Sequence, residues 1–87
     1  MYEGYIYIIT NSKSHHKYVG QTLQTIEKRW HQHKLDSKKY DYPLYRAMKK
    51  YGLNSFEINE IEKCVSKNKI QLSRILDKKR NLLGILL

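Results

Sequence analysis

Two short runs of apolar and aromatic residues open the chain, at positions 4–11 and 17–20, with a polar stretch between them. β-Branched and aromatic residues flanked by glycine and polar residues are typical of strands. The pattern therefore predicts a β-hairpin with a multi-residue loop over residues 11–16. Side chains alternate along a strand, so Tyr7 points to one face and Ile6 to the other. Because both faces are largely apolar, we expect this strand to lie in a sheet covered on both sides.

Apolar residues next recur at helical spacing. The first predicted helix covers residues 23–34 and has Thr22 as its N-cap. We expect its apolar stripe to face the sheet, and the stripe consists of Leu23, Ile26 and Trp30.

The second predicted helix opens at Pro43, a residue that is tolerated in the first helical turn, and ends before Gly52, which suits the position just past a helix. Its apolar positions follow the i, i+3, i+4, i+7 pattern of a buried stripe. We expect all four to lie in the core, namely Leu44, Ala47, Met48 and Tyr51.

A third strand is predicted from the alternation of Phe56 and Ile58. Ile61 is one position out of phase, and a bulge near Asn59 and Glu60 would restore the alternation. The acidic residues of this strand then lie mostly on the solvent side, where a polar strand face explains them better than catalysis does. They are Glu57, Glu60 and Glu62.

The last segment, residues 65–87, has the loosest pattern. A helix is predicted over residues 66–81, with Ser66 as its N-cap and with Ile70, Leu72, Ile75 and Leu76 among its apolar positions. An apolar tail follows at 82–87, and such a tail must be buried by its own domain or by another chain. The tail therefore predicts either internal packing or a contact with a protein partner, including a second copy of the chain.

Composition limits the function classes. The 87 residues give room for one domain, residues 1–87, with a modest core. Seventeen Lys and Arg against eight Asp and Glu give a formal charge of +9, which favours a polyanionic partner over a charge that only maintains solubility. The lone Cys64 excludes an internal disulfide and fits a reducing compartment. The sequence shows neither a secretory signal nor an apolar run of membrane-spanning length, so we expect a soluble, cytoplasmic protein that does not bind membranes.

Short motifs in the two predicted strands resemble those that name the GIY-YIG endonuclease family. In the first strand, isoleucine and Tyr7 follow Gly4, with Tyr5 between the glycine and the pair. In the second strand, Tyr18 is followed by a valine, where the family name has isoleucine, and by Gly20. A glycine at this position lets another backbone or a ligand approach closely.

The first predicted helix strengthens the resemblance, because Arg29 is followed four residues later by His33, as in the family. The second helix and the start of the third strand are similar too, so the resemblance covers residues 4–64. It implies an α/β (α+β) fold with a small three-stranded antiparallel sheet flanked by about three helices. It also implies a metal-dependent DNA endonuclease that hydrolyses phosphodiester bonds.

Four residues fall on the family's active-site positions, and their chemistry suits phosphodiester hydrolysis. The resemblance implies that Tyr7 contacts the attacking water and helps to deprotonate it, and that Tyr18 orients the water or the phosphate. Arg29 offers a permanently charged planar fork to a non-bridging phosphate oxygen. His33 is expected to titrate near neutrality and to assist proton transfer or bind the phosphate.

The metal ligand is the point at which the chain departs from the family. Family members carry a metal-binding glutamate in their third helix, and no glutamate follows Glu62 here. Asp77 is the only carboxylate of this region and is the predicted ligand of one divalent ion, Mg²⁺ or Mn²⁺. The alternative is a catalytically impaired, nucleic-acid-binding remnant of the same fold.

Basic residues along the chain predict phosphate contacts that position DNA without reading its sequence. The predicted contacts are Lys13, Lys17, Lys28, Lys34, Arg46, Lys49 and Lys50. The four histidines raise a zinc alternative, in which His31 and His33 act with His15 and His16. Helical residues two positions apart point in different directions, so this alternative is disfavoured.

Overall fold

The computed structural model describes residues 1–86, and it describes side-chain surroundings for residues 1–84. In chain order, these residues form β1 (Tyr2–Asn11), β2 (Lys17–Thr22), α1 (Ile26–Asp36), α2 (Pro43–Tyr51), a 3₁₀ turn (Leu53–Ser55), β3 (Phe56–Ser66) and α3 (Lys69–Leu86). Within this described part, no helix is long and apolar enough to cross a membrane.

The strands form one antiparallel sheet in the order β2-β1-β3, so the first strand lies at its centre. In the register between β1 and β2, Tyr7 is opposite Gly20 and Ile9 is opposite Tyr18. Opposite residues of neighbouring strands point to the same face, so these four positions share one face of the sheet. The predicted three-stranded antiparallel sheet with three helices is confirmed.

Each face of the sheet carries its own cluster of buried side chains, as the apolar character of β1 on both faces predicts. The first cluster lies under α1 and α2 and contains Tyr7, Ile9, Tyr45, Met48 and Phe56. The second lies under α3 and contains Ile6, Cys64, Leu72 and Leu76. The central strand therefore holds the two layers of helices together.

A bulge interrupts the pairing of β1 with β3. Ile6 is opposite Glu62 and the next residue, Tyr7, is opposite Glu60, so Ile61 is the extra residue. The bulge predicted near Asn59 and Glu60 is confirmed, one residue further along the strand. The extra residue has no cross-strand partner, and its side chain is exposed.

The first helix begins later than predicted. Thr25, and not Thr22, is its N-cap, because the Thr25 hydroxyl accepts a hydrogen bond of 3.2 Å from the Lys28 amide. The Thr22 hydroxyl instead accepts a bond of 3.0 Å from the Gln24 amide in the connection that follows β2. Leu23 consequently lies outside the helix and is 43% exposed, so its predicted place on the packed stripe of this helix is wrong.

The second helix spans the predicted residues, and Gly52 follows it with a φ of +86°. Its amide donates to the Met48 carbonyl across 2.9 Å, which closes the last turn. The most buried side chains of α2 are Met48 and Tyr45, and Tyr45 was absent from the predicted stripe. Leu44, Ala47 and Tyr51 are only partly buried around the first cluster.

The third helix begins at Lys69, three residues after the predicted cap Ser66. The Asn68 side-chain oxygen accepts bonds from the amides of Ile70 (2.8 Å) and Gln71 (3.1 Å), so Asn68 satisfies the first turn. Ile70 is 68% exposed, which shows that its predicted place among the packed positions is wrong.

The apolar tail continues the third helix and is not a separate segment. Leu83 packs against the second cluster, whereas Leu82 is exposed. Nothing is described for Leu87, the last residue of the predicted tail. The close approach of α3 to β1 needs Gly4, because a Cβ at that position would lie 2.6 Å from Cδ1 of Leu76.

Candidate active site

The ring of Tyr7 lies directly over Gly20. A Cβ added to Gly20 would lie 2.7 Å from Cε1 of Tyr7, and closer still to the Cζ atom and the hydroxyl. Sequence reasoning expected this glycine to admit another backbone or a ligand. The structure shows a different reason, since the absent side chain leaves space for the tyrosine ring of the neighbouring strand.

His33 is buried beside this ring and bonds to two tyrosines. Its Nε2 atom lies 2.7 Å from the Tyr7 hydroxyl, and its Nδ1 atom lies 2.9 Å from the Tyr45 hydroxyl. A neutral imidazole has one donor and one acceptor nitrogen. One tyrosine therefore donates its hydrogen to the ring while the other accepts the hydrogen of the ring N–H.

The environment keeps His33 neutral. Burial and, after it, the Arg29 guanidinium lower the pKa of His33 from 6.5 to about 4, and the carboxylate of Asp36 only partly opposes them. The expectation that His33 titrates near neutrality is therefore wrong for the free protein. Its side chain is only 6% exposed. It is a hydrogen-bonding group at pH 7 and not a cation.

Three residues of α1 share one line of the helix at spacings of four and three, namely Arg29, His33 and Asp36. Both charged groups act on the adjoining Tyr45. Burial is the largest cause of a raised Tyr45 pKa, Asp36 raises it further, and Arg29 acts in the opposite direction. Opposite charges thus border a buried core of neutral hydrogen-bonding groups.

Tyr18 lies on the same face of the sheet as Tyr7, because its residue is paired with Ile9 two positions along β1. It is partly buried and packs against the first cluster. It also lines an open cavity of about 490 Å³ together with His15, His16 and Lys17. The structure thus brings Tyr18 to the sheet face that carries the Tyr7–His33 pair, and Tyr18 also borders this cavity.

Asp77 lies elsewhere. Its exposed carboxylate accepts a hydrogen bond of 2.7 Å from the side-chain amide of Gln21. Gln21 and Gly20 are neighbours in β2, so their side chains point to opposite faces of the sheet. The structure therefore does not bring Asp77 onto the face occupied by Tyr7.

The donor set does not fit a preassembled metal site. Among the described residues, no group of three or more His, Cys, Asp or Glu side chains could together hold an ion. The carboxylate beside the candidate site is Asp36, which already accepts a bond of 2.9 Å from Gln32. The same finding leaves the histidine-based zinc alternative without support in this part of the chain.

The predicted phosphate-binding residues differ in how freely they can meet DNA. The Lys13 ammonium donates to the Tyr51 carbonyl across 3.3 Å, and Arg46 pairs with Asp41 at 2.9 Å. Lys34 lies 5.3 Å from the centre of the Trp30 ring. The others are Lys17, Lys28 and Lys49, all exposed, and Lys50, which is exposed and lies 5.2 Å from the centre of the Tyr51 ring.

Sequence reasoning missed two residues of this arrangement, Tyr45 and Asp36. Tyr45 directly follows Leu44, the first residue of the predicted stripe, and lies three positions before Met48, so a small rotation of the assumed helix face would have included it. Asp36 follows His33 by three residues, and this spacing places it on the same line of the helix.

The chain is a small α+β domain with two tyrosines on one face of its antiparallel sheet and with a helix that supplies an arginine and a buried histidine. This arrangement is of the nuclease class. The chain matches the GIY-YIG catalytic domain family over residues 3–80, and it belongs to that family of nucleases. The match extends past the predicted limit of the resemblance, residues 4–64, into the third helix.

Two solved structures are similar. The catalytic domain of the homing endonuclease I-TevI is 27% identical, with a TM-score of 0.66 over 93% of this chain and 88% of that one. A glutamate-to-alanine mutant of the catalytic domain of the intron endonuclease I-TevI gives 28% identity and a TM-score of 0.70, over 94% of this chain and 84% of the other.

Two curated relatives come from Invertebrate iridescent virus 6. The "Putative MSV199 domain-containing protein 146R" is 35% identical over 78 residues, which are 88% of this chain and 29% of the relative. The "Uncharacterized protein 019R" is 36% identical over 61 residues, 69% of this chain and 22% of the relative. The chain therefore spans less than a third of the length of either relative.

Proposed function

We propose that this domain is a DNA endonuclease that hydrolyses phosphodiester bonds with Tyr7, Tyr18, Arg29 and His33. The observation that carries the proposal is the 2.7 Å bond between the Tyr7 hydroxyl and Nε2 of His33. The histidine lies on the helix that also presents Arg29. These residues belong to a chain that matches a nuclease family.

The hydrogen bonds that link Tyr7, His33 and Tyr45 give the Tyr7 hydroxyl a path along which it can pass on a proton. When Nδ1 of His33 carries the hydrogen and donates it to Tyr45, Nε2 accepts the hydrogen of Tyr7. A water then passes a proton to the Tyr7 oxygen while the Tyr7 proton moves to Nε2. The water oxygen bonds to phosphorus as the bond between phosphorus and the leaving oxygen breaks, and the leaving oxygen takes up a proton from solvent. The imidazolium that forms on His33 later returns its proton through the same bond.

The low pKa of His33 makes this imidazolium a high-energy species in the free protein. DNA phosphates bound beside the site add negative charge, which favours the charged form and raises the histidine pKa. Proton uptake is therefore coupled to the presence of substrate, and the neutral resting state keeps Nε2 available as an acceptor.

Arg29 and Tyr18 act on the phosphate. The guanidinium stays charged at every working pH and matches two oxygens of a phosphate with its planar fork. It neutralises the charge that develops on the non-bridging oxygens as the water attacks. Tyr18, on the same face as Tyr7 and beside the open cavity, donates its hydroxyl hydrogen to the water or the phosphate.

Nucleases of this family generally depend on a divalent ion, and we propose the same requirement here, with Mg²⁺ or Mn²⁺. The described residues form no preassembled cluster for such an ion, so none of the steps above is assigned to it. Mg²⁺ is often held mainly by waters and substrate phosphates, with one carboxylate from the protein. Asp77 and Asp36 are the two carboxylates to compare as the ligand of this ion.

A plasmid-nicking assay tests the proposal. Purified protein is incubated with supercoiled DNA, with and without Mg²⁺ or Mn²⁺, beside Arg29→Ala, Asp77→Ala and Asp36→Asn variants. We expect metal-dependent nicking that Arg29→Ala abolishes without changing the melting temperature. Arg74→Ala removes an exposed arginine from α3 and is the matched control, with activity close to that of the unaltered protein. Full activity in Arg29→Ala would refute the role proposed for Arg29 in cleavage.

The second candidate function is nucleic-acid binding without cleavage. The placement of Asp77 against Gln21, away from the Tyr7 face, favours it. It predicts salt-sensitive DNA binding, because counterions are released as lysines meet phosphates. Metal-dependent nicking by pure protein excludes this candidate, whereas binding with no nicking under any metal condition supports it.

A further inference from the structure

A row of five rings leads from the buried site to the surface. The ring centres are 5.8 Å apart from Tyr7 to His33, 5.8 Å from His33 to Tyr45, and 5.7 Å from Tyr45 to Tyr42. A last step of 5.8 Å leads from Tyr42 to Tyr40. The two outermost rings are stacked, with 18° between their planes. The nuclease chemistry proposed above uses only the inner three rings, so the outer pair needs its own explanation.

The outer rings contribute little to the core. Tyr40 is 48% exposed and Tyr42 is 58% exposed. The connection that carries them is nevertheless held at both ends. The Tyr40 amide donates to the Asp36 carbonyl across 2.9 Å, and the Arg46 amide donates to the Tyr42 carbonyl across 2.9 Å. An ion pair of 2.9 Å between Arg46 and Asp41 adds a further restraint.

The surroundings of this stacked pair are basic. Lys38 and Lys39 come directly before Tyr40, and both are exposed. Of the nearby acidic groups, Asp41 is paired with Arg46, and Asp36 accepts a bond from Gln32. The exposed lysines favour a negatively charged ligand, and the exposed faces of the stacked rings favour one that also offers a flat ring.

We propose that Tyr40 and Tyr42 form a stacking platform for an unpaired nucleobase of the DNA substrate. The proposal rests on the nuclease function above, and it names the substrate class: DNA with a single-stranded or extrahelical nucleotide beside the scissile phosphate. Bases inside a duplex are already stacked on one another, whereas an unpaired base offers a free face to an aromatic ring. The preceding lysines contact the backbone of the same strand.

Loss of one base–aromatic stack, about 1 to 3 kcal/mol, weakens binding by about 5- to 160-fold in proteins that hold single strands. We expect Tyr40→Ala and Tyr42→Ala each to fall in this range, because each removes one ring of the pair. Tyr42→Trp keeps a flat aromatic face, so it should bind single strands at least as tightly as the unaltered protein.

The test is fluorescence anisotropy with a labelled single-stranded oligonucleotide in EDTA, at fixed salt. The same oligonucleotide with its central bases removed, and a blunt duplex, serve as comparison ligands. The platform predicts that both alanine variants weaken binding of the intact single strand and leave binding of the abasic strand and of the duplex nearly unchanged. Tyr2→Ala is the matched control, because Tyr2 is 49% exposed and lies in β1, outside this connection.

Two results would overturn the platform. One is unchanged single-strand affinity in both alanine variants, which would leave the rings available for another partner such as a protein. The other is an equal loss for intact and abasic strands, which would indicate a backbone contact or a folding defect. Binding is measured in EDTA, which suppresses metal-dependent cleavage, so the two proposals are tested separately. A protein that binds unpaired bases but never nicks DNA with added metal refutes only the nuclease proposal. Nicking without any base dependence refutes only the platform.

Discussion

The hydroxyl of Tyr45 lies 2.9 Å from Nδ1 of His33, on the side of the imidazole opposite the Tyr7 bond. This contact gives a hydrogen on Nδ1 an acceptor, and so it stabilises the tautomer in which Nε2 accepts from Tyr7. Tyr45 is therefore a positioning residue for the proposed proton transfer, although it lies on a different helix from the histidine.

Replacing Tyr45 with phenylalanine should slow nicking by about 10- to 100-fold, equivalent to about 1.4 to 2.8 kcal/mol of transition-state stabilisation. The reason is that Nδ1 loses its partner, so the tautomer that lets Nε2 accept from Tyr7 loses a hydrogen bond that stabilises it. Stability should fall by about 1 to 3 kcal/mol, because a buried nitrogen is left unsatisfied.

The measurements that check this are nicking kinetics and the ¹⁵N chemical shifts of the His33 ring, which report the tautomer. Tyr2→Phe, at an exposed tyrosine, is the control and should change neither. A Tyr45→Phe protein that nicks normally and keeps the same ring shifts would refute the positioning role.

Gly20→Ala should destabilise the domain by about 1 to 3 kcal/mol, the usual range for overpacking. The added Cβ would lie 2.7 Å or less from atoms of the Tyr7 ring, which is held between the strand and His33. The displaced ring should also lose its bond to Nε2, so nicking should fall more than stability alone explains.

Gly84→Ala is the comparison, because a Cβ there meets nothing within 4 Å and the residue lies in α3. That change should stabilise the domain by up to about 1 kcal/mol, since alanine favours helices more than glycine does. Urea denaturation of both variants checks the pair. Equal, small effects at the two positions would contradict the close contact over Gly20.

Most of the fold could be predicted from the sequence, because the local pattern of apolar and polar residues agrees with the tertiary structure. The apolar character of β1 on both faces predicted two covering layers, and Gly52 marked the end of α2. Errors occurred at helix starts, where Thr22 and Thr25 are both plausible caps by residue type. The structure decides between them, because Thr22 is still the last residue of strand β2 and the helix begins after Thr25.

The site was less accessible, because contact between elements decides it. The spacing of Arg29 and His33 was visible along the chain, but the burial that keeps His33 neutral depends on α2 lying over it. Tyr45 and the position of Asp77 against Gln21 likewise follow from packing that no single element encodes.

Leu76→Ala should cost about 2 to 5 kcal/mol, because this side chain is buried between α3 and the sheet and contacts Gly4. Leu82→Ala, on the same helix but exposed, should change stability by no more than about 0.5 kcal/mol. Denaturation at several protein concentrations measures both. A large, concentration-dependent loss in Leu82→Ala would instead reveal self-association through the end of α3.

Acidification should destabilise the domain through His33. Its pKa is lowered from 6.5 to about 4 on folding, so between these values the unfolded chain binds a proton that the folded protein excludes. Stability therefore rises with pH across this window and falls as pH drops from about 6.5 towards 4, with a loss of about 2 kcal/mol by pH 5. Measurements above pH 5 avoid protonating the acidic residues. Glu62 is one of them, and its pKa is lowered mainly by its hydrogen bond to Lys79.

Two measurements check this pH dependence. Urea unfolding at pH 7 and pH 5 gives the loss of stability, and an NMR titration of the His33 ring gives its pKa directly. His31→Gln alters an exposed histidine of the same helix and should keep the full pH dependence, whereas His33→Gln should remove most of it. A ring pKa near 6.5 in the folded protein would mean that His33 is hydrated, and the neutral acceptor proposed for Tyr7 would then be lost at acidic pH.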